Sequence, residues 1–459
     1  MGGKAPVMEF SIRKSTKTDI IIKTYSVLLL GTILFSILSF NKMPVSTVLL
    51  VSIITMFFLG IIFFSKNMFN PFCFLFIYSF LGYIDVTMVS AGIRNSISMV
   101  PHYIYDKTLL IMLIWFVTFT IGYGIAYFII KGRGIKSDVK RNEIKINPWI
   151  IFLMCTGIFL FSLISSLKNS LELGGIINGM SGGGAAFADQ GYLLALLGFA
   201  GCIPVMALYS GKKKRAIIYL LIVFVGIILT GRRSLAILAA FLPYIVYRNE
   251  MVRRVKLSKI IILAVPLIII IMYIGAIRTA GDANFSKTNT NNTLVSELAV
   301  LSRYNGYGDN IPALVYKLDS GALNYQKYEN AFRGIEYFVP RSLWPEKPLV
   351  HSSEIVSNKI FRVGDTGRPV NAYGWAYFHF GIFGVVLSGM LTGLIVCGFY
   401  LYVLNKKNVI GLCMYALLIL PMLEIFQPES QMKIILFALI LKVLDVISRK
   451  TTKNSILIS

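Results

Sequence analysis

AIIYLLIVFVGIILTGRRSLAILAAFLPYIVY, residues 216–247, sets two arginines between two apolar runs. Neither run leaves a polar face for water, so each reads as a helix immersed in lipid rather than as the side of a soluble helix. Their cores, 216–230 and 234–247, are short, because about 20 residues at 1.5 Å each are needed to cross a hydrocarbon layer roughly 30 Å thick. The turn Thr230-Gly231-Arg232-Arg233-Ser234 is therefore expected to be drawn inward to the level of the outer leaflet. A guanidinium at that depth is costly unless it pairs or lines a wet cavity. Two forked cations beside a glycine turn, with the N-terminal amides of the next helix, match the oxygens of a diphosphate. The competing reading is that both arginines snorkel to lipid headgroups.

Similar runs recur outward in both directions. Twelve are candidate spans, with cores at 20–40, 44–65, 70–90, 108–130, 148–167, 191–210, 216–230, 234–247, 260–277, 378–403, 408–424 and 432–447. Of the 459 residues, 56% are hydrophobic and only 14% charged, against roughly 25% charged in a soluble chain. No single water-soluble core could enclose so many apolar runs. The fold class is all-α, a polytopic helical membrane protein of about 12 transmembrane helices with one large helical external loop. The first run follows a basic leader without a small-residue cleavage site and is expected to stay as an anchor. Cys73, Cys155, Cys202, Cys397 and Cys413 all fall in apolar stretches and form no CxxC pair. That excludes a disulfide framework and a cysteine zinc or redox site, and leaves them as small core residues.

A net charge of +24 would suggest nucleic acid in a soluble protein. Its distribution gives another reason. With the N-terminus inside, 25 of the 45 Lys and Arg fall in cytoplasmic segments, 7 in short outer loops and 11 in one long outer loop. Cationic loops are retained on the cytoplasmic side, so topology accounts for the charge and no nucleic-acid partner is expected. The expected plan is 1–277 with spans one to nine, an external cap at 278–372, and 373–459 with the last three spans and a cytoplasmic C-terminus. The cytoplasmic connection after span six, 211–215, is too short for the linker between the halves of a major-facilitator transporter.

Within the cap, 294–305 and 322–338 carry apolar faces at helical spacing, and Pro340, Pro345 and Pro348 punctuate the stretch after them. The prolines of Phe338-Val339-Pro340-Arg341-Ser342-Leu343-Trp344-Pro345-Glu346-Lys347-Pro348 would hold Arg341 and Lys347 in place at small entropic cost. An interfacial Trp/Arg anchor is the plainer reading of the same string. Arg278 closes span nine on the same face and Arg368 lies later in the cap. With Arg232 and Arg233, these cations are the candidate ligands of a diphosphate or glycan. Asp309, Glu336, Glu346, His351 and His379 lie on or near the cap as candidate bases. His351 and Glu346 flank the proline-rich segment and rank first as catalytic groups. Asp85 and Glu424, near the outer ends of two spans, are weaker candidates. The glycine-rich stretch 179–186 matches no phosphate-binding fingerprint and reads as a connector.

The PRxLWPxKP string, followed by Gly374-Trp375-Ala376-Tyr377-Phe378-His379-Phe380-Gly381 at the opening of a span, resembles the Wzy-type O-antigen and capsule repeat-unit polymerases. The GRR turn is similar to the arginine motif of that group and of the related O-antigen ligases. Trp375 stands where the second string often has Glu, so no role is carried over to that position. The resemblance implies a multi-span glycosyltransferase similar to the GT-C type, in the bacterial inner membrane with its site facing outside. It would move a growing glycan from undecaprenyl diphosphate onto the non-reducing end of an incoming undecaprenyl-diphosphate-linked repeat unit. Membrane lipid and a chain-length regulator protein are the further partners implied.

A diphosphate leaving group stores the driving force, and arginines neutralise its developing charge without a metal. The outer acids contain no DxD and the three histidines are scattered in sequence, so neither metal nor cofactor is expected. Two other readings fit less well. An O-antigen-type ligase would share the arginines and the cap but use another acceptor; a lipid-linked sugar flippase would fit the spans but have no use for the cap.

Overall fold

The computed structural model describes residues 69–71, 74, 75, 86, 100–132, 147–172, 191–230, 235–252, 310–327, 333–339, 343–348, 350–361, 370–406 and 408–457. The chain divides into two compact units, Met1–Phe76 and Ile77–Ser459. In the first, the Phe69 and Phe74 rings lie 6.5 Å apart; all elements below belong to the second.

Every regular element among the described residues is helical. In chain order they are α1 (His102–Gly132), α2 (Pro148–Glu172), α3 (Gly191–Leu197), a 3-10 turn (Gly198–Gly201), α4 (Cys202–Tyr209) and α5 (Lys213–Leu229). After these come a π-helical turn (Ala236–Phe241), α6 (Leu242–Tyr247), a second π turn (Arg248–Val252) and α7 (Asn310–Asp319). The last are a 3-10 turn (Arg333–Phe338), α8 (Ser352–Val356), a π turn (Ser357–Phe361), α9 (Ala372–Lys406), α10 (Val409–Leu423) and α11 (Pro428–Leu457). The expected cores at 108–130, 148–167, 191–210, 216–230, 234–247, 378–403, 408–424 and 432–447 are helical over nearly all of their described residues. Those at 20–40, 44–65 and 260–277, and nearly all of 70–90, lie outside the described residues.

Three helices, His102–Ile130, Pro148–Lys168 and Ala372–Val403, are long and apolar enough to cross a bilayer. Side-chain exposure supports the same conclusion for shorter ones. Helix α5 buries Ala216, Leu220, Val223, Phe224 and Ile227 while Ile217, Ile218, Leu221, Ile222 and Val225 stand outward. A helix apolar on its buried and its exposed side is solvated by lipid. Cys155, Cys202, Cys397 and Cys413 are buried free thiols, as expected of core residues; Cys73 lies outside the described residues.

The most extensive packing joins α1 and α9. A Cβ placed on Gly389 would come within 2.2 Å of Thr118 Oγ1 and 2.7 Å of the Trp115 carbonyl oxygen. One on Gly393 would lie 2.1 Å from the Phe119 oxygen, and one on Gly122 would lie 2.1 Å from the Met390 oxygen. The two backbones are thus closer than any side chain allows, through a Gly-x-x-x-Gly face at 389–393. In lipid, where apolar surface gains nothing by leaving water, such close contact is what holds helices together. Residue numbers rise together across the interface, so α1 and α9 run parallel and their first residues share one end.

The stretch expected to form the cap, 278–372, departs from expectation in two ways. The stretch 322–338 is not the helix its periodicity predicts: 322–326 carries no helix and Arg333–Phe338 forms a 3-10 turn. Gly321, at φ +72°, turns the chain out of α7, and Lys327 adopts φ 48°. The amides of Gln326 and Lys327 then bond α9 carbonyls, Phe378 at 3.1 Å and His379 at 3.0 Å, in place of a helical partner. Helix α7 itself went unpredicted. Its signals are Asn310 at the start, Pro312 within the first turn and an apolar run after it. The other expected helix, 294–305, lies outside the described residues.

Replacing Gly393 with leucine is expected to destabilise the protein by about 1–3 kcal/mol or more, because a well-packed contact must be forced apart. Gly398→Ala, in the same helix with open space around its Cβ position, should leave stability unchanged or raise it by up to about 1 kcal/mol. Unfolding in mixed micelles, followed by circular dichroism, measures both.

Candidate functional site

The turn between α10 and α11 receives two segments of the expected cap, Arg333–Phe338 and the start of α8. Helix α10 ends at Leu423 with Glu424 as its C-cap, the Gln427 amide bonds the Glu424 carbonyl at 2.8 Å, and Pro428 opens α11. Proline is suited to a first helical position, where its missing N–H costs nothing, and an acid next to it faces the positive end of the helix. That acid is Glu429, which is 8% exposed.

Glu429 is held by the segment just after PRxLWPxKP. The Ser352 amide donates to Oε2 at 3.2 Å and the Ser352 hydroxyl donates to Oε1. His351 precedes the short α8 as its N-cap: Nδ1 lies 2.8 Å from the Ser353 hydroxyl and 3.4 Å from the Ser353 amide nitrogen, and its role as donor or acceptor follows the ring's tautomer. The same Nδ1 stands 3.6 Å from Glu429 Oε1. A proton taken up by His351 would therefore create an ion pair with a buried carboxylate. The His351 side chain is 42% exposed, so the imidazole spans buried acid and solvent.

Neighbouring bonds fix the same turn. Gly334 donates its amide to Gln431 Oε1 at 3.2 Å, Gln427 Nε2 donates to the Val370 carbonyl at 2.8 Å, and Trp375 Nε1 donates to the Phe426 carbonyl at 2.8 Å. Gly334 packs so tightly that a Cβ there would lie 2.4 Å from Gln431 Cβ. Trp375 is buried and has a bonding role at the position where the resemblance gave it none.

The remaining sequence candidates divide clearly. Glu346 is exposed at the surface. Lys347 ties back on its own segment, its ammonium donating to the Val339 carbonyl at 2.9 Å. Glu336 pairs with Arg333 at 3.6 Å. His379 is buried in α9, with Nδ1 2.9 Å from the Trp375 carbonyl oxygen and its ring 4.4 Å from the Trp375 ring. Arg232, Arg233, Arg278, Arg341 and Arg368 lie outside the described residues, as do Asp85, Asp309 and 179–186. The flanks of the GRR turn are described. Thr230 ends α5 fully buried, its hydroxyl donating to the Ile227 carbonyl at 2.6 Å, and a π turn starts at Ala236. Such widened turns occur often at functional positions.

Glu429 is the residue that the sequence reading missed. Glu424, five positions earlier, drew attention as a span-end acid, whereas Glu429 sits in the first turn of the last helix. The Pro-Glu opening of an apolar run was the available signal. Glu429→Ala is expected to strand the Ser352 amide and hydroxyl in a buried site, at about 1–3 kcal/mol for each unpaired group. Hydrogen exchange at residues 352–356 should speed up markedly in Glu429→Ala and less in Glu429→Gln, which keeps an acceptor. Unchanged exchange in both would show that Glu429 does not hold the segment.

The chain matches the family model described as O-antigen polysaccharide polymerase Wzy over residues 20–450. No curated protein and no solved structure matches it. The family match spans nearly the whole chain and agrees with helices that only lipid can solvate. The chain belongs to the O-antigen polysaccharide polymerase Wzy family, membrane glycosyltransferases that polymerise oligosaccharide repeat units.

Proposed function

We propose that this polymerase acts at the outer face of the bacterial inner membrane and uses undecaprenyl diphosphate as the carrier of both donor and acceptor. The bond between the donor's anomeric carbon and its phosphate oxygen breaks, and the acceptor hydroxyl oxygen bonds the same carbon. The hydroxyl proton passes to a base, and the diphosphate departs as an anion. Arg232, Arg233, Arg278, Arg341 and Arg368, with Lys347, neutralise that anion; forked donors suit its oxygens.

His351 is the proposed base. The observation that carries this is its setting: Nδ1 engaged by Ser353 and 3.6 Å from the buried Glu429 carboxylate, on a segment bonded to the head of α11. In the tautomer whose hydrogen sits on Nδ1 and donates to the Ser353 hydroxyl, Nε2 is the nitrogen that takes the acceptor's proton, and the Glu429 carboxylate then balances the new charge. Glu346, exposed and separate from this network in its described bonds, is the weaker choice. The parity of the helices also supports the outer location. The first residues of α1, α9 and α11, which the charge count puts outside, are the ends that α7, Arg333–Phe338 and α8 contact.

Purified protein with lipid-linked repeat units and no other enzyme should build a ladder of polymers, and a chelator should leave the rate unchanged. Failure of the intact protein to elongate would overturn the proposal. Arg233→Ala and Arg341→Ala should each slow elongation by about 10²–10³-fold, leaving single repeat units on surface glycan in cells at normal protein abundance. His351→Ala should slow it by about 10²–10⁴-fold without changing binding of the lipid-linked donor; an equal loss in Glu346→Ala but none in His351→Ala would reassign the base.

A further inference from the structure

A second polar junction lies away from the His351–Glu429 network, where the first turns of α1 and α9 meet α7. Asp319 ends α7 and bridges the two long helices: Lys107 Nζ of α1 donates to Oδ2 at 2.6 Å, and the Tyr377 hydroxyl of α9 donates to Oδ1 at 2.7 Å. Tyr325 continues the row, its ring 6.0 Å from that of Tyr377 in an edge-on arrangement. Tyr377 is buried while Tyr325 is 42% exposed, so the row runs from protein interior to water.

The backbone is shaped around Tyr325. Helix α9 breaks at Gly381, with φ 60° and ψ −146°, a conformation that suits glycine. A Cβ there would meet the Tyr325 ring at 3.3 Å. The carbonyls of Phe378 and His379, near this break, accept from the Gln326 and Lys327 amides. Lys359 Nζ donates to Gln326 Oε1 and pins the strap from its other side. Lys327 is the one non-glycine residue with positive φ among the described residues. A backbone kept in a sparsely populated conformation beside exposed chemistry-bearing side chains marks a place where position matters.

The groups so presented suit one class of ligand. A sugar ring offers an apolar C–H face and a rim of hydroxyls that both donate and accept. Tyr325 supplies an aromatic surface with a polar tip. Asp319 has two oxygens with about four acceptor positions, of which Lys107 and Tyr377 use two, and Lys107 has three donors. Tyr316, three residues before Asp319, and Tyr103, four before Lys107, fall on the same helix faces and are exposed, extending the aromatic surface outward. The mixture of acid, cation and hydroxyls around aromatic rings fits a neutral, polar ring better than an acyl chain or a bare anion.

We propose that this junction is a glycan-binding subsite that holds a sugar of the acceptor repeat unit, its C–H face against Tyr325 and its hydroxyls on Asp319 and Lys107. The acceptor role rests on the polymerase reading above; sugar binding itself does not. The subsite fixes the acceptor while the diphosphate is handled elsewhere, so its loss raises KM for acceptor more than it lowers kcat.

The test uses the full chain in lipid nanodiscs and the repeat-unit oligosaccharide freed of its lipid and phosphates, with binding measured by saturation-transfer NMR titration. Tyr325→Ala and Asp319→Asn should each weaken binding by about tenfold, a change of 1.4 kcal/mol, and raise the acceptor KM by a similar factor. Tyr402→Ala, at the other end of α9, should bind as the unaltered protein does. Absence of binding to the unaltered protein, or equal binding by Tyr325→Ala, would overturn the subsite. If Asp319→Asn fails to accumulate, the exposed Tyr325 decides the question alone. Binding that Tyr325→Ala loses, in a protein that elongates nothing, would keep the subsite and overturn the polymerase mechanism. Elongation with unaltered binding in both variants would do the reverse.

Discussion

Backbone contact between α1 and α9 is the constraint on which the described architecture rests. Lipid gives two apolar helices no reason to prefer each other over acyl chains, so association depends on how many atoms can approach. Glycines 122, 389 and 393 let main chain touch main chain, and the resulting parallel register puts the first turns of both helices side by side. Only then can one carboxylate, Asp319, reach Lys107 on the first and Tyr377 on the second. A contact near the middle of both helices thereby fixes a polar junction at their ends.

The 278–372 stretch is attached to the long helices by the buried apolar face of α7 and by polar bonds at helix ends. Its described pieces dock where helices begin or break, because those are the places with unsatisfied amides and carbonyls. The strap at 322–327 takes the carbonyls near the α9 break, and residues 352 and 334 dock on side chains from the first turn of α11. Each attachment joins the loop to a long helix, so His351 and Tyr325 are carried on backbone that the transmembrane helices position.

Much of this could be read from residue order. Long apolar runs announced the helices at 102–132, 148–172 and 372–406, since a run without a polar face has one stable environment. The PRxLWPxKP and GRR strings pointed to the family that the match over 20–450 then gave. His351 was singled out by its place after the prolines. Less was legible where a residue's role depends on a distant partner. The 322–338 stretch has helical periodicity, yet α9 carbonyls 52 residues further on capture the amides of Gln326 and Lys327. Glu429 carries no local motif, because the groups it holds, Ser352 and His351, come from a distant segment. The glycine spacing at 389–393 was visible but carried no partner's name.

The sequence by itself determined that the chain is a helical membrane protein, with apolar runs separated by short basic loops, and the family to which it belongs, because hydrophobicity and local motifs are properties of consecutive residues. Only the tertiary structure decided that α1 pairs with α9, that Glu429 sits under His351, and that Asp319, Tyr325 and Tyr377 form one junction. Those contacts join residues from tens to hundreds of positions apart, and what brings them together is the shape of surfaces that exist after the helices have packed.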